Sequence, residues 1–106
     1  MMSGRLSSIA VALIFAAMVV PARAATIEIT MENLVISPAE ASAKVGDTIA
    51  WINKDVFAHT ATAKSGDFDV TLPPNKSATS VLKKAGTVDY YCRYHPNMKA
   101  TLKIEP

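Results

Sequence analysis

The chain has no second cysteine. Its 106 residues hold Cys92 alone, so no disulfide can close within the molecule. Long apolar runs are missing too: the longest, Ile9 to Val20, is too short to span a bilayer. Helical periodicity is absent beyond about one turn, which sets aside a helix bundle. Histidine is as scarce as two copies, His59 and His95, and no Ser–His–Asp or paired-carboxylate arrangement stands out. Neither an internal repeat nor a low-complexity tract appears.

What is present begins with a leader. The opening MMSGRLSSIAVALIFAAMVVPARA has a charged start at Arg5, an apolar stretch, and Ala22-Arg23-Ala24 in the small-x-small pattern that signal peptidase reads. Residues 1–24 read as a cleaved secretory signal peptide and 25–106 as one exported, periplasmic domain. Removing the leader takes Arg5 and Arg23 from the eleven Lys/Arg, leaving nine against nine Asp/Glu. The domain is then neutral, and neither nucleic acid nor an anionic membrane surface is an expected partner. A domain this small has a thin core and gains from a staple. With disulfides excluded, a bound metal is the natural one.

Periodicity of two runs through the domain. Thr26–Met31 alternates with Ile27, Ile29 and Met31 on one face, and Lys99–Glu105 with Ala100, Leu102 and Ile104. Short strands are expected between them at Leu34–Ser37, Ala41–Val45, Thr48–Asn53, His59–Ala63, Thr79–Leu82 and Thr87–Cys92. Turn residues separate these at Gly46-Asp47, Ser65-Gly66-Asp67, Pro73-Pro74-Asn75 and Ala85-Gly86. Many short strands at this spacing predict an all-β antiparallel sandwich or barrel. Its expected core is Ile27, Ile29, Val45, Ile49, Trp51, Leu82, Val88, Tyr90, Leu102 and Ile104.

The stretch DYYCRYHPNMK carries the chemistry. Alternation puts Val88, Tyr90 and Cys92 on the buried face, so the thiol sits where the strand ends at the core. His95 and Met98 follow in a short loop stiffened by Pro96, and a strand resumes after Met98. A further donor is needed, and His59 is the only other histidine in the chain. Two imidazoles, a thiolate and a thioether make the donor set of a mononuclear copper site, a His₂Cys plane with a weak axial Met. Structural zinc prefers four strong N or S donors, and a thioether is a poor fourth.

Taken singly, each residue has a plainer reading: a buried small thiol, a solvated loop histidine, a core methionine. Cys-x₂-His-x₂-Met at a strand corner, with a histidine upstream and an exported setting, makes the joint coincidence unattractive. Two alternatives stay open. One is a carrier that delivers or sequesters copper without passing electrons. The other is a secreted β-domain dimerised through Cys92.

These motifs also resemble the cupredoxins, and among them the small amicyanin- and plastocyanin-like proteins. The resemblance runs over Ala25–Pro106 through VGDTIAWIN, HTAT, GDFDVTLPP and AGTVDYYCRYHPNM, the last being the specific part. The short Cys-x₂-His-x₂-Met spacing is amicyanin-like. The resemblance implies a Greek-key β-sandwich with copper ligands His59, Cys92, His95 and Met98, cycling between Cu(I) and Cu(II). It implies a monomeric electron shuttle, not an enzyme, between redox proteins, with an amine dehydrogenase as donor and a c-type cytochrome as acceptor. Phe57, Tyr94 and Pro96 would surround His95 as a docking patch. Lys54, Arg93 and Lys99 are either steering charges for an acidic partner or ordinary solvated ones. The chain departs from the family at Ala58, where a proline is common, at Val88 for a tyrosine, and at Lys99-Ala100 after the methionine. It also has Thr60 where an asparagine often ties the ligand loops, and a hydroxyl is expected to tie them less rigidly.

Overall fold

Alternating β-branched and apolar residues draw the chain into nine strands. They are β1 (Thr26–Glu32), β2 (Val35–Ser37), β3 (Glu40–Lys44), β4 (Thr48–Asn53), β5 (His59–Ala63), β6 (Asp69–Leu72), β7 (Ser77–Val81), β8 (Gly86–Cys92) and β9 (His95–Glu105). The structure is a computed structural model describing residues 23–106; the expected leader, apart from its last two residues, lies outside them. Among the described residues no helix is long and apolar enough to cross a membrane.

The strands form two sheets, β2-β1-β4-β7 and β3-β9-β8-β5-β6. The chain crosses between them after β2, β3, β4, β6 and β7, so strands adjacent in a sheet are often distant in sequence. Two pairings are parallel, β1 with β4 and β3 with β9; the others are antiparallel. This is the expected all-β sandwich.

Its core lies between the sheets. Ile29, Ile49, Trp51, Leu82, Val88, Tyr90, Leu102 and Ile104 are buried as expected, and Ile27 packs at the margin. Trp51 is the hub: Tyr90 meets it edge-on at 5.2 Å between ring centroids and Phe68 at 5.4 Å. Its indole N–H, which burial would otherwise leave unpaired, donates to Ser80 Oγ at 2.9 Å. Burial also holds the Tyr90 phenol protonated, with its pKa far above the ordinary tyrosine value.

Val45 corrects the expected core, because it is 42 % exposed. β3 ends at Lys44 and the chain turns at once: Asp47 N–H donates to Lys44 O, and Gly46 takes φ of 95°, open to glycine and costly to others. Alternation continued past that turn would have pointed Val45 inward. β6 is a further strand beyond those expected, paired with β5 along His59↔Leu72 to Thr62↔Asp69. It buries only Leu72 fully, too few apolar positions to read as alternation.

Candidate metal centre

Cys92 closes β8 with its side chain fully buried. The expected loop through Met98 is shorter than its sequence suggests: Arg93 and Tyr94 turn, and β9 starts at His95, the register partner of Cys92. Tyr91, one residue earlier, pairs with Lys99, so the register jumps between Tyr91 and Cys92. Carried on unbroken, the Tyr91↔Lys99 register would set Met98 opposite Cys92. The irregularity instead sets His95 opposite Cys92, a strand bulge used to aim a side chain. Pro96 is tolerated there because its stretch of β9 has no partner on β3, whose pairing begins at Thr101. Met98 is buried in the core and His95 is half-buried.

His59 comes from the other side, at the start of β5. The loop before it is organised by buried Asn53, whose side-chain amide donates to Phe57 O, Leu72 O and Pro73 O at 2.9, 3.1 and 3.2 Å. Its Oδ1 accepts the Asp55 N–H at 2.9 Å. Asp55 is thereby turned back onto His59: its Oδ2 lies 2.6 Å from His59 Nε2. The same carboxylate accepts the N–H groups of Asn33 (2.7 Å) and Leu34 (3.2 Å). Those two residues form the β1–β2 turn with φ of 54° and 63°, a conformation that strains Leu34 by about 1–2 kcal/mol. Burial opposes the charge on Asp55, but the bonds from His59, Asn33 and Leu34 outweigh it and hold its pKa below the usual aspartate value.

An ionised carboxylate can only accept, so His59 Nε2 carries the proton and Nδ1 keeps its lone pair. That Nδ1 lies 3.7 Å from Cys92 Sγ, and His95 Nδ1 lies 3.8 Å from the same sulfur. The ligand atoms of His59, Cys92 and His95 all fall within 4.8 Å of one another. Bonds of about 2.0 Å to nitrogen and about 2.3 Å to sulfur, meeting at trigonal angles, separate the donors by about 3.7 Å. The donor set fits a copper ion in the expected plane.

Thr60 supports the sulfur twice. Its N–H points at Cys92 Sγ from 3.4 Å, and its Oγ1 accepts the Arg93 N–H at 2.9 Å. The hydroxyl therefore does tie the two ligand segments, where an asparagine often stands in the family. Phe57 packs against both imidazoles, with centroids 5.5 Å from His59 and 5.7 Å from His95.

A family model of the cupredoxin-like domain matches residues 5–104. The chain belongs to the cupredoxins. This cupredoxin is 30% identical over 104 residues to the methylamine utilization protein MauL of Methylorubrum extorquens, covering 94% of the chain and 91% of that protein. It is 29% identical over 72 residues to an amicyanin of Paracoccus denitrificans, covering 62% of the chain and 55% of that relative. Among solved structures, the reduced Cu(I) form of an amicyanin variant superposes with a TM-score of 0.66 at 26% identity, over 76% of this chain and 82% of that one. Copper is the ion that this family and this donor set share. Of the residues around the site, Asp55 and Asn53 escaped the sequence reading. The usable signal was an acid four places before the upstream histidine, in DVFAH.

Proposed function

We propose that this cupredoxin carries single electrons between redox proteins at a copper site held by His59, Cys92, His95 and Met98. The observation that carries this reading is the trigonal spacing of Cys92 Sγ and the two Nδ1 atoms, 3.7 and 3.8 Å, in a buried corner. Copper bound there supplies a one-electron couple between Cu(I) and Cu(II). The chain supplies the rest. Asp55 fixes the His59 ring, Thr60 N–H steadies the thiolate, and the sandwich keeps both in place so that little rearranges when charge changes. Four protein donors leave no strong open position for a substrate, which favours a carrier over a catalyst.

His95 is the half-buried donor and faces the surface beside exposed Phe57, Tyr94 and Pro96, with Val56 next to them at 77 % exposure. That apolar patch suits brief, small-area encounters. Arg93 lies 3.5 Å from Asp69, so of Lys54, Arg93 and Lys99, steering or merely solvated, it is the one partly offset by a neighbouring carboxylate. The likeness to a methylamine utilization protein supports an amine dehydrogenase as donor; a c-type cytochrome as acceptor rests on the amicyanin-like resemblance alone. Full burial of Cys92 speaks against a disulfide-linked dimer, and burial of both Cys92 and His59 against ready exchange of the ion with a delivery partner.

Titrating the mature domain with Cu(II) tests the reading. A strong visible thiolate-to-copper band is expected, bleached by ascorbate and restored by ferricyanide. Stable uptake without the band, or without reversible bleaching, would instead assign copper delivery or storage.

The domain boundary is part of the proposal, with export to the periplasm. Ala25 N donates to Asp47 Oδ1 at 2.8 Å, and Lys44 N to Oδ2 at 2.8 Å. Cleavage before Ala25 would replace that amide by an α-ammonium against the carboxylate. These backbone bonds, Ala25 first, hold the Asp47 pKa below its ordinary 3.8. A lowered folded pKa contributes stability above the unfolded value, and that contribution is lost as pH falls through the folded one. N-terminal sequencing of the exported protein should read Ala25. The urea midpoint of the apoprotein should fall between about pH 5 and about pH 3, and less so in Asp47→Asn. A start well downstream of Ala25, or identical profiles, would refute the boundary.

A further inference from the structure

The Thr60 hydroxyl that holds Arg93 N–H has a second neighbour, Thr62 Oγ1 at 2.9 Å. Thr62 Oγ1 in turn lies 2.9 Å from Asp69 Oδ1, and the Arg93 guanidinium lies 3.5 Å from that same oxygen. The sheet dictates this alignment. Thr60 and Thr62 stand two apart on β5 and share a face. Thr62 is the register partner of Asp69 on β6 and of Tyr91 on β8. Two residues further along β5 and β8, that antiparallel register sets Thr60 opposite Arg93.

The carboxylate gives the chain of bonds a direction. Asp69 can only accept, so Thr62 donates its proton to it. Thr62 Oγ1 then has only its lone pairs for Thr60, and Thr60 donates to Thr62. Thr60 Oγ1 is left as the acceptor for Arg93 N–H. Each donation makes the donating oxygen a better acceptor for the bond behind it. The run leads from a half-exposed carboxylate, through a half-buried Thr62, to a fully buried Thr60 and the peptide that follows Cys92.

We propose that Asp69 and Thr62 are positioning residues for the copper site: through Thr60 they orient the hydroxyl that fixes the backbone just after the Cys92 ligand. This rests on the copper reading above for its functional meaning, but its geometry can be measured in the apoprotein.

The test compares Thr60→Val, Thr62→Val, Asp69→Ala, Asp69→Asn, Arg93→Gln and the Thr62→Val/Asp69→Ala double variant. In the apoprotein, amide exchange at Arg93 is read by NMR against Leu102, a core reference. In the loaded protein, Cu(II) affinity, the thiolate band and the reduction potential are read. Thr60→Val should speed Arg93 exchange and weaken copper binding about 10–100-fold. Thr62→Val and Asp69→Ala should each give about 3–10-fold, with the potential moved in the same direction as in Thr60→Val, and the double variant should match either single. Asp69→Asn keeps an acceptor oxygen and should stay near wild type. Arg93→Gln retains the backbone N–H and should do likewise.

Wild-type Arg93 exchange and copper affinity in Thr62→Val would overturn the proposal. So would multiplicative effects in the double variant, or an Arg93→Gln that reproduces Asp69→Ala, which would assign the effect to the ion pair. A wild-type protein that binds no copper would end the electron-carrier reading while leaving the exchange measurements to decide the relay.

Discussion

Cys92→Ser should abolish the visible band of the copper-loaded protein altogether and weaken Cu(II) binding by more than about 100-fold, beyond what losing an outer-sphere partner costs. The sulfur is the atom on which both histidine Nδ1 atoms converge, at 3.7 and 3.8 Å, and it receives the Thr60 N–H. A serine hydroxyl is smaller and harder, and does not ionise near neutral pH, so the strong charge-transfer donor disappears with the thiolate. Cys92 is fully buried, and an unsatisfied hydroxyl in its place should lower apoprotein stability by about 1–3 kcal/mol. Optical titration and urea unfolding check the two effects separately. A Cys92→Ser protein that kept an intense visible band would remove the sulfur from the metal.

Asp55→Asn should be the next most damaging change. Asp55 uses Oδ1 for Asn33 N–H and Oδ2 for both Leu34 N–H and His59 Nε2–H. Asparagine offers one accepting oxygen and one donating amide, so it cannot serve both sides. If the amide turns toward His59, Nε2 must accept and the proton moves to Nδ1, the atom that faces Cys92. If the oxygen turns there instead, the turn at Asn33-Leu34 loses an acceptor for a strained backbone. Either way copper affinity should fall about 10–100-fold. Asp55→Leu, which leaves the buried imidazole N–H with nothing, should also cost about 2–4 kcal/mol of apoprotein stability. Calorimetric copper titration and chemical unfolding of both variants decide it; unchanged affinity in Asp55→Asn would show that His59 is oriented by packing against Phe57 alone.

Much of this protein was legible in its residues. Period-two alternation in TIEITM and KATLKIE marked real strands, and Val88, Tyr90 and Cys92 do share the buried face. Val45 misled because alternation says nothing about where a strand stops, and the turn at Gly46 intervened. β6 was missed because DVTL buries one side chain fully and takes its strand geometry from pairing with β5. Thr60 was expected to bridge loosely. It bridges through Arg93 N–H with a directed chain of hydroxyls behind it.

The sequence by itself determined the β class and the donors clustered at Cys92, His95 and Met98, because donor types are rare and their spacing is local. Only the tertiary structure decided which nitrogen of His59 faces the sulfur, that Asp55 orients it, and that Asp69 reaches the Cys92 peptide through two threonines. Those facts depend on the register between strands far apart in the chain. Asp and Thr are too common, and too ready to face water, for their spacing to announce a partner before the sheets have met.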